Sequence, residues 1–289
     1  MRLVALIALA GCTAPALEED VVYDDRLGES GLMDIYMPDD AGPHPAVLFI
    51  HGGTWRAGSK EHFRRGGARL ARSGYVAASI NYRLLPDGVF PNNLNDCVCA
   101  LAFLRAHATE YSIDPDRIAV MGYSAGAHLT SLVALASDHP ELPTDCAAAN
   151  GQPVAPPAAA ISASGPQDMV LWWNEMDDKE TVEGIFGGSL AEKPHAYDLG
   201  SPRYHVKAGA PPFLILHDAL DFGGAHAFRD ALIATGNAAS LLVVEGSLHI
   251  LEQQDDPGFY EGGVSSETPV AWIAIEDFLS RTIGGGAWH

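Results

Sequence analysis

Lysine is scarce in this 289-residue chain: it supplies 4 of the 17 basic residues, which face 37 acidic ones, 22 of them aspartate. The formal net charge of -20 gives a surface that repels phosphate backbones, which excludes nucleic acid as a partner. An Asp-rich, Lys-poor surface fits a saline habitat as well as ordinary solubility. No apolar run reaches the roughly 18 residues needed to span a bilayer as a helix. Cysteine is limited to four residues, with no CxxC and no His/Cys spacing of a zinc site, so no metal is expected. No internal repeat is found. What remains is 47% apolar and 19% charged, with 30 glycines and 19 prolines, a composition that rules out disorder and can bury a large core. The length allows two domains, but α/β folds of this size are often one.

The N-terminus reads as a targeting signal. Arg2 gives a minimal positive region, residues 3–10 are continuously apolar, and Leu9-Ala10-Gly11-Cys12 completes the pattern. That tetrapeptide resembles a bacterial lipobox, in which Cys12 becomes the lipidated first residue. The expected organisation is a lipoprotein signal peptide at 1–11, a tether at 12–19 and one folded domain at 20–289. The chain would then be an exported lipoprotein of the cell envelope, in the outer membrane or facing the periplasm, and held to the membrane by its lipid alone. A plain secretory signal and a soluble periplasmic protein are the alternative. Of the other cysteines, Cys97 and Cys99 stand two apart in a helical pattern and point away from each other, so only a pair involving Cys146 is open. The expectation is three small buried hydrophobes.

Short β-rich runs alternate with helical patterns. Strands are expected at 21–27, 32–37, 46–50, 75–81, 117–121, 158–164, 213–217 and 241–245. Helices are expected at 61–73, 92–110, 125–136, 222–235 and 270–281. The alternation implies an α/β fold with a largely parallel central sheet and helices on both faces. Two stretches, 137–157 and 167–202, read as long loops, the second carrying Trp172, Trp173 and a short helix near 182–186.

Gly122-Tyr123-Ser124-Ala125-Gly126 is weak as a motif alone, but it directly succeeds an expected strand and opens an expected helix, the strand–turn–helix setting this motif requires. That setting points to Ser124 as a nucleophile. A serine hydroxyl needs a base and an orienting acid, which here come in the order Ser, Asp or Glu, His. His249, just after the strand at 241–245, is the candidate base. Asp221, after the strand at 213–217, is the candidate acid, with Asp218 three residues earlier as its competitor. His51-Gly52-Gly53-Thr54-Trp55 comes after the strand at 46–50. Its consecutive glycines let the backbone aim N–H groups at an oxyanion, with the N–H of Ala125 as a further donor.

The chain resembles the α/β-hydrolase fold, and within it the bacterial feruloyl-esterase-like and hormone-sensitive-lipase-like carboxylesterases. The matching stretches are Asp-Ile-Tyr-Met-Pro at 34–38, the loop at 51–60, Asn81-Tyr82-Arg83-Leu84, Ile-Asp-Pro-Asp-Arg-Ile at 113–118, Gly165-Pro166-Gln167-Asp168 and Pro-Pro-Phe-Leu-Ile-Leu-His at 211–217. The resemblance implies a triad of Ser124, Asp221 and His249 with oxyanion donors Gly52, Gly53 and Ala125, and no cofactor. It makes Asn81, Tyr82, Arg83 and Asp96 structural. The chain departs from the family at Thr54 and Ala127, where glycine is usual, at His217-Asp218, where His-Gly is usual, and after Asp221, where Phe222-Gly223-Gly224 replaces Val-Pro.

The motifs and the resemblance together predict a serine ester hydrolase working through an acyl-enzyme, without a large N-terminal cap. Thr54, Trp55, Tyr123, Trp172 and Trp173 are candidates to line its pocket. Short-chain or aromatic-acyl esters are the expected small-molecule substrates, with acylated polysaccharide expected by analogy for an exported enzyme. A peptidase or amidase on the same fold, and a ligand-binding surface lipoprotein without turnover, are the alternatives.

Overall fold

In the strand at His44–Ile50, Ala46, Leu48 and Ile50 pack into one hydrophobic core while Val47 and Phe49 pack into another. Side chains alternate along a strand, so a strand apolar at every position must be covered on both faces. A computed structural model of the chain, describing residues 15–142, 145–149, 152–177, 179–218, 223–244 and 269–284, shows what covers it.

Among the described residues the strands are β1 (Ala16–Val22), β2 (Leu32–Met37), β3 (His44–Ile50), β4 (Val76–Ile80), β5 (Ile113–Tyr123), β6 (Ala159–Ala163), β7 (Phe213–Asp218) and β8 (Ala239–Val244). They form one sheet in the order β1-β2-β4-β3-β5-β6-β7-β8. The pairs β1–β2 and β2–β4 are antiparallel and all others parallel. The helices are α1 (Arg64–Arg72), α2 (Asn92–Ala106), α3 (Ala125–Ala136), α4 (Met169–Glu175), α5 (Lys179–Phe186), α6 (Pro194–Leu199), α7 (Ala225–Ala234) and α8 (Pro269–Thr282). Leu101, Leu129, Leu132 and Phe228, from α2, α3 and α7, join the core of Leu48, Ile50 and Val120. Leu70 of α1 and Ile275 and Leu279 of α8 join that of Phe49, Met121 and Ile161 on the other face. Among the described residues no helix is long and apolar enough to cross a membrane.

The expected parallel sheet with helices on both faces is what forms, and three local expectations are corrected. Residues 16–19, expected in a tether, belong to β1, with residues 16–18 paired to β2, and a 3-10 helix at Asp25–Gly31 takes the place of the expected strand end. The stretch 167–202 is a helical insertion carrying α4, α5 and α6, where a loop with one short helix was expected. Asp168 caps α4, its Oδ1 accepting from the N–H groups of Val170 (3.1 Å) and Leu171 (2.9 Å), and Pro194 opens α6 at a position where its missing N–H costs nothing. Third, Cys99 and Cys146 form a disulfide with Cα atoms 5.1 Å apart, and only Cys97 is a free buried thiol among the described cysteines. The N–H of Asp145 donates to Asn95 Oδ1 of α2 (2.9 Å), which lays the returning chain along that helix and brings Cys146 to Cys99.

Arg83 and Asp96, to which the resemblance gives a structural role, form an ion pair. The Arg83 guanidinium approaches the fully buried Asp96 carboxylate to 2.6 Å, and the Arg83 N–H donates to the same group (2.9 Å). The pair ties the chain after β4 to α2.

Candidate active site

β5 ends at Tyr123 and α3 begins at Ala125, so Ser124 alone makes the turn from strand to helix. Its backbone sits at φ 54°, ψ -122°, a conformation that L-residues adopt only when their surroundings enforce it. The Ser124 N–H donates to the carbonyl of Ala163 at the end of β6 (2.8 Å), and its own carbonyl accepts from the N–H groups of Ala127 (3.0 Å) and His128 (3.1 Å). The flanking glycines are steric necessities. A β-carbon at Gly122 would meet the carbonyl of Gly126 and lie 2.6 Å from Thr130 Oγ1. Ser124 is left half-buried between buried neighbours, at the N-terminus of α3, where the first N–H groups have no intrahelical acceptor and the helix favours negative charge.

The loop after β3 turns sharply. Gly53 (φ 108°), Thr54 (φ 52°) and Trp55 (φ 56°) all lie at positive φ, and the carbonyl of Gly53 accepts from Arg56 and Ala57 (both 3.0 Å). A threonine there is costly because it is β-branched, so the surrounding loop holds it in place.

Between this loop, the chain after β6 and α4 opens a cleft of about 640 Å³. Gly53, Thr54, Trp55, Tyr123 and Ser124 line one side. Trp172 and Met176 line it from the α4 segment, and Ala57, Gly58, His62, Ser164, Pro166, His217 and Asp218 complete the wall. Trp172 is 8% exposed, and its ring centroid lies 5.5 Å from that of Trp55. Of the expected pocket residues, Thr54, Trp55, Tyr123 and Trp172 come together there. Trp173 does not: it packs edge-on against Tyr197 at 5.6 Å, with Lys179 Nζ 5.0 Å above its ring. Neighbouring residues on a helix point about 100° apart, so only one of the two tryptophans can face the cleft. Gly52 and Ala125 are buried, next in sequence to the lining residues Gly53 and Ser124, and do not themselves line the cleft.

Sequence reasoning misses His62, Ser164 and Met176. Ser164 comes directly after β6, at a carboxyl end of a parallel strand, and that position was the available signal. Met176 lies in a stretch that reads as loop. Asp218 ends β7, is buried, and has Oδ1 3.7 Å from His217 Nδ1. Asp221, His249 and Cys12 lie outside the described residues. His128, though one turn from Ser124, is fully buried in α3. Its Nε2 donates to the carbonyl of Gly200 (2.7 Å), and burial lowers its pKa to about 4. His128 packs on the Trp55 ring at 5.4 Å and does not itself line the cleft.

The BD-FAE family model matches residues 33–222 of the chain. Among curated proteins, the "Probable carboxylic ester hydrolase LipM" of Mycobacterium tuberculosis is 32% identical over 219 residues, covering 71% of this chain and 48% of that protein. A "Probable isoprenylcysteine alpha-carbonyl methylesterase" of Arabidopsis thaliana is 27% identical over 288 residues, covering 94% of this chain and 57% of that protein. The chain therefore spans about half the length of the curated relatives it matches. Among solved structures, a truncated carbohydrate esterase from gut microbiota superposes with a TM-score of 0.76 at 23% identity, covering 94% of this chain and 98% of that one. Apo esterase 2 of Thermogutta terrifontis superposes with a TM-score of 0.74 at 22% identity, covering 95% and 97%. At these identities the likeness is one of fold.

Proposed function

This chain belongs to the BD-FAE family of α/β-hydrolases, and we propose that it is a serine carboxylic-ester hydrolase working through an acyl-enzyme. The observation that carries the reading is Ser124, forced to positive φ at the carboxyl end of β5, half-buried, and lining the cleft. In the proposed cycle Ser124 Oγ attacks the ester carbonyl while His249, oriented by Asp221, takes its proton. The N–H groups of the Gly52-Gly53 loop and of Ala125 hold the oxyanion. Collapse releases the alcohol with the proton returned by His249, and water then repeats the sequence to free the acid.

The cleft wall of Trp55, Tyr123, Trp172 and Met176 supports short-chain or aromatic acyl groups, which flat apolar surfaces enclose well. The relatives' names support small alcohol leaving groups, and the carbohydrate esterase among the structural neighbours supports acylated polysaccharide as the natural form of substrate. The Leu9-Ala10-Gly11-Cys12 sequence supports export and lipid anchoring at Cys12.

The test is a panel of p-nitrophenyl esters from C2 to C16 plus methyl ferulate, run on the wild type and on Ser124→Ala. Removal of the nucleophile should lower turnover on the order of 10⁴-fold with the fold intact. A variant that keeps a tenth of wild-type turnover would sink the reading.

A further inference from the structure

A peptide between two glycines is the easiest in a chain to flip, because neither side has a β-carbon to restrict rotation. The Gly52–Gly53 peptide is such a bond, and if the chain works through an acyl-enzyme its Gly53 N–H must face the oxyanion. Something must hold it. We propose that His51 is the positioning residue of the oxyanion hole: its ring grips the Gly52 carbonyl and thereby fixes the direction of the Gly53 N–H.

The His51 Nδ1 lies 2.7 Å from the oxygen of Gly52, and since a carbonyl only accepts, Nδ1–H is the donor. In a planar trans peptide the C=O and the next N–H point in opposite directions. Pinning the Gly52 oxygen against the ring therefore turns the Gly53 N–H away from it, and Gly53 lines the cleft.

The ring is itself held from several sides. Tyr82 stacks on it with centroids 4.4 Å apart and planes 20° from parallel, and the Tyr82 hydroxyl donates to the His51 carbonyl (2.9 Å). His62 meets it edge-on at 5.5 Å. Gly58, at φ +107°, closes the last side: a β-carbon there would collide with His51 Nδ1 and lie 2.7 Å from the Gly52 oxygen. The second ring nitrogen, Nε2, is buried with no hydrogen-bond partner among the described residues, which suits a neutral ring whose only proton is on Nδ1. Burial lowers the pKa of His51 to about 3, so the ring keeps that neutral form across the working pH range.

The experiment compares His51→Phe, which keeps a ring against Tyr82 but removes the donor, with His51→Asn, whose Nδ2 can take the place of Nδ1. Loss of one oxyanion donor costs about 10² to 10³ in kcat, and misdirecting one costs part of that. The expected result for His51→Phe is a kcat on p-nitrophenyl butyrate about 10- to 100-fold lower with KM nearly unchanged. Its inhibition constant for a trifluoromethyl ketone should rise in step with the fall in kcat/KM, and His51→Asn should recover most of the loss. Wild-type kcat in His51→Phe, an equal loss in both variants, or a change confined to KM would overturn the proposal. The wild-type protein supplies a test that needs no variant: its ¹⁵N spectrum should show the His51 proton on Nδ1, and a proton on Nε2 would overturn the proposal. Absence of ester hydrolysis in the wild type would count against the acyl-enzyme reading, while the position of that proton reports on the grip alone.

Discussion

The backbone of Gly126 lies so close to the carbonyl oxygen of Ile50 that a β-carbon at position 126 would collide with it. Ile50 is the last residue of β3 and Gly126 the second of α3, so one backbone contact sets the Ser124 turn against the loop that carries Gly52 and Gly53. The same β-carbon would lie 2.5 Å from the carbonyl of His51, on the loop itself.

Gly126→Ala should therefore cost stability as well as activity. Neither neighbour is a flexible side chain, so relief requires moving β3 or α3, and the expected loss is about 3 kcal/mol or more. Gly188→Ala is the control, because its new methyl would meet only the movable side chains of Lys193 and Glu192. Urea titration of the two variants should separate them. Equal midpoints would show that the contact yields without cost.

The disulfide between Cys99 and Cys146 closes a loop with a sequence separation of 47. Restricting the unfolded chain by a loop of that length contributes about 4 kcal/mol in the chain-entropy treatment. The double variant Cys99→Ser, Cys146→Ser should show a lower urea midpoint that reducing agent does not lower further. The wild type should fall to a similar midpoint once reduced. A wild type indifferent to reductant would contradict the bond's contribution.

Long apolar strands and the helix that opens at Ala125 were legible because each carries its whole signal within a few residues. α3 runs from Ala125 to Ala136, as its sequence pattern predicts, since a serine between glycines starts it and an unbroken apolar face continues it. α4, α5 and α6 are six to eight residues long, too short for helical spacing to repeat. Their burial comes from partners far along the chain, such as Phe186 packing on Phe90 at 5.6 Å. Without knowing that Met169–Glu175 is helical, Trp172 and Trp173 are indistinguishable. The Cys99–Cys146 bond was illegible for a related reason, because it depends on where a proline-rich return passes over α2. The elbow and the glycine loop could be read because steric need fixes their residue types. His51 as a grip on Gly52 could not, because it depends on ring orientation.

Two buried neutral histidines should make the protein less stable in acid. Burial lowers His51 to about 3 and His128 to about 4, from 6.5. Between those values and pH 6.5 the unfolded chain binds protons that the folded chain refuses. Their contribution is thus complete above pH 6.5 and lost as the pH falls. Each group costs about 1.4 kcal/mol per pH unit in that window. Urea midpoints should fall steeply from pH 6.5 to 4, and His128→Gln, which can still donate to Gly200, should reduce the slope. An unchanged slope would exclude His128 as a source.

The acid of the proposed triad is decided by comparing Asp221→Asn with Asp218→Asn. Asp218 is already held at the end of β7 beside His217, which suits a role in shaping the strand end. Asp221→Asn should lower turnover about 10² to 10⁴-fold by leaving His249 unoriented, with Asp218→Asn affecting it much less. The reverse order would move the acid to position 218.

Trp172 is the residue through which acyl length should be tuned. Its ring closes the α4 side of the cleft and leans on Trp55, so any acyl chain reaching that wall must stop or displace it. Each methylene that finds new apolar surface gains about 0.8 kcal/mol, about fourfold in kcat/KM, and one that stays in water gains nothing. The wild type should therefore favour C2 to C4 esters and fall off by C8. Trp172→Leu keeps an apolar side chain, which limits the cavity cost to the packing around Trp55, while opening space at the end of the cleft. Its expected signature is little change on p-nitrophenyl acetate and a rise of about 10-fold or more in the octanoate-to-acetate ratio of kcat/KM. Trp173→Leu, on the face of α4 turned toward Tyr197, should leave that ratio unchanged. If the two variants shift the ratio alike, the wall is not Trp172, and the selectivity must be set elsewhere in the cleft.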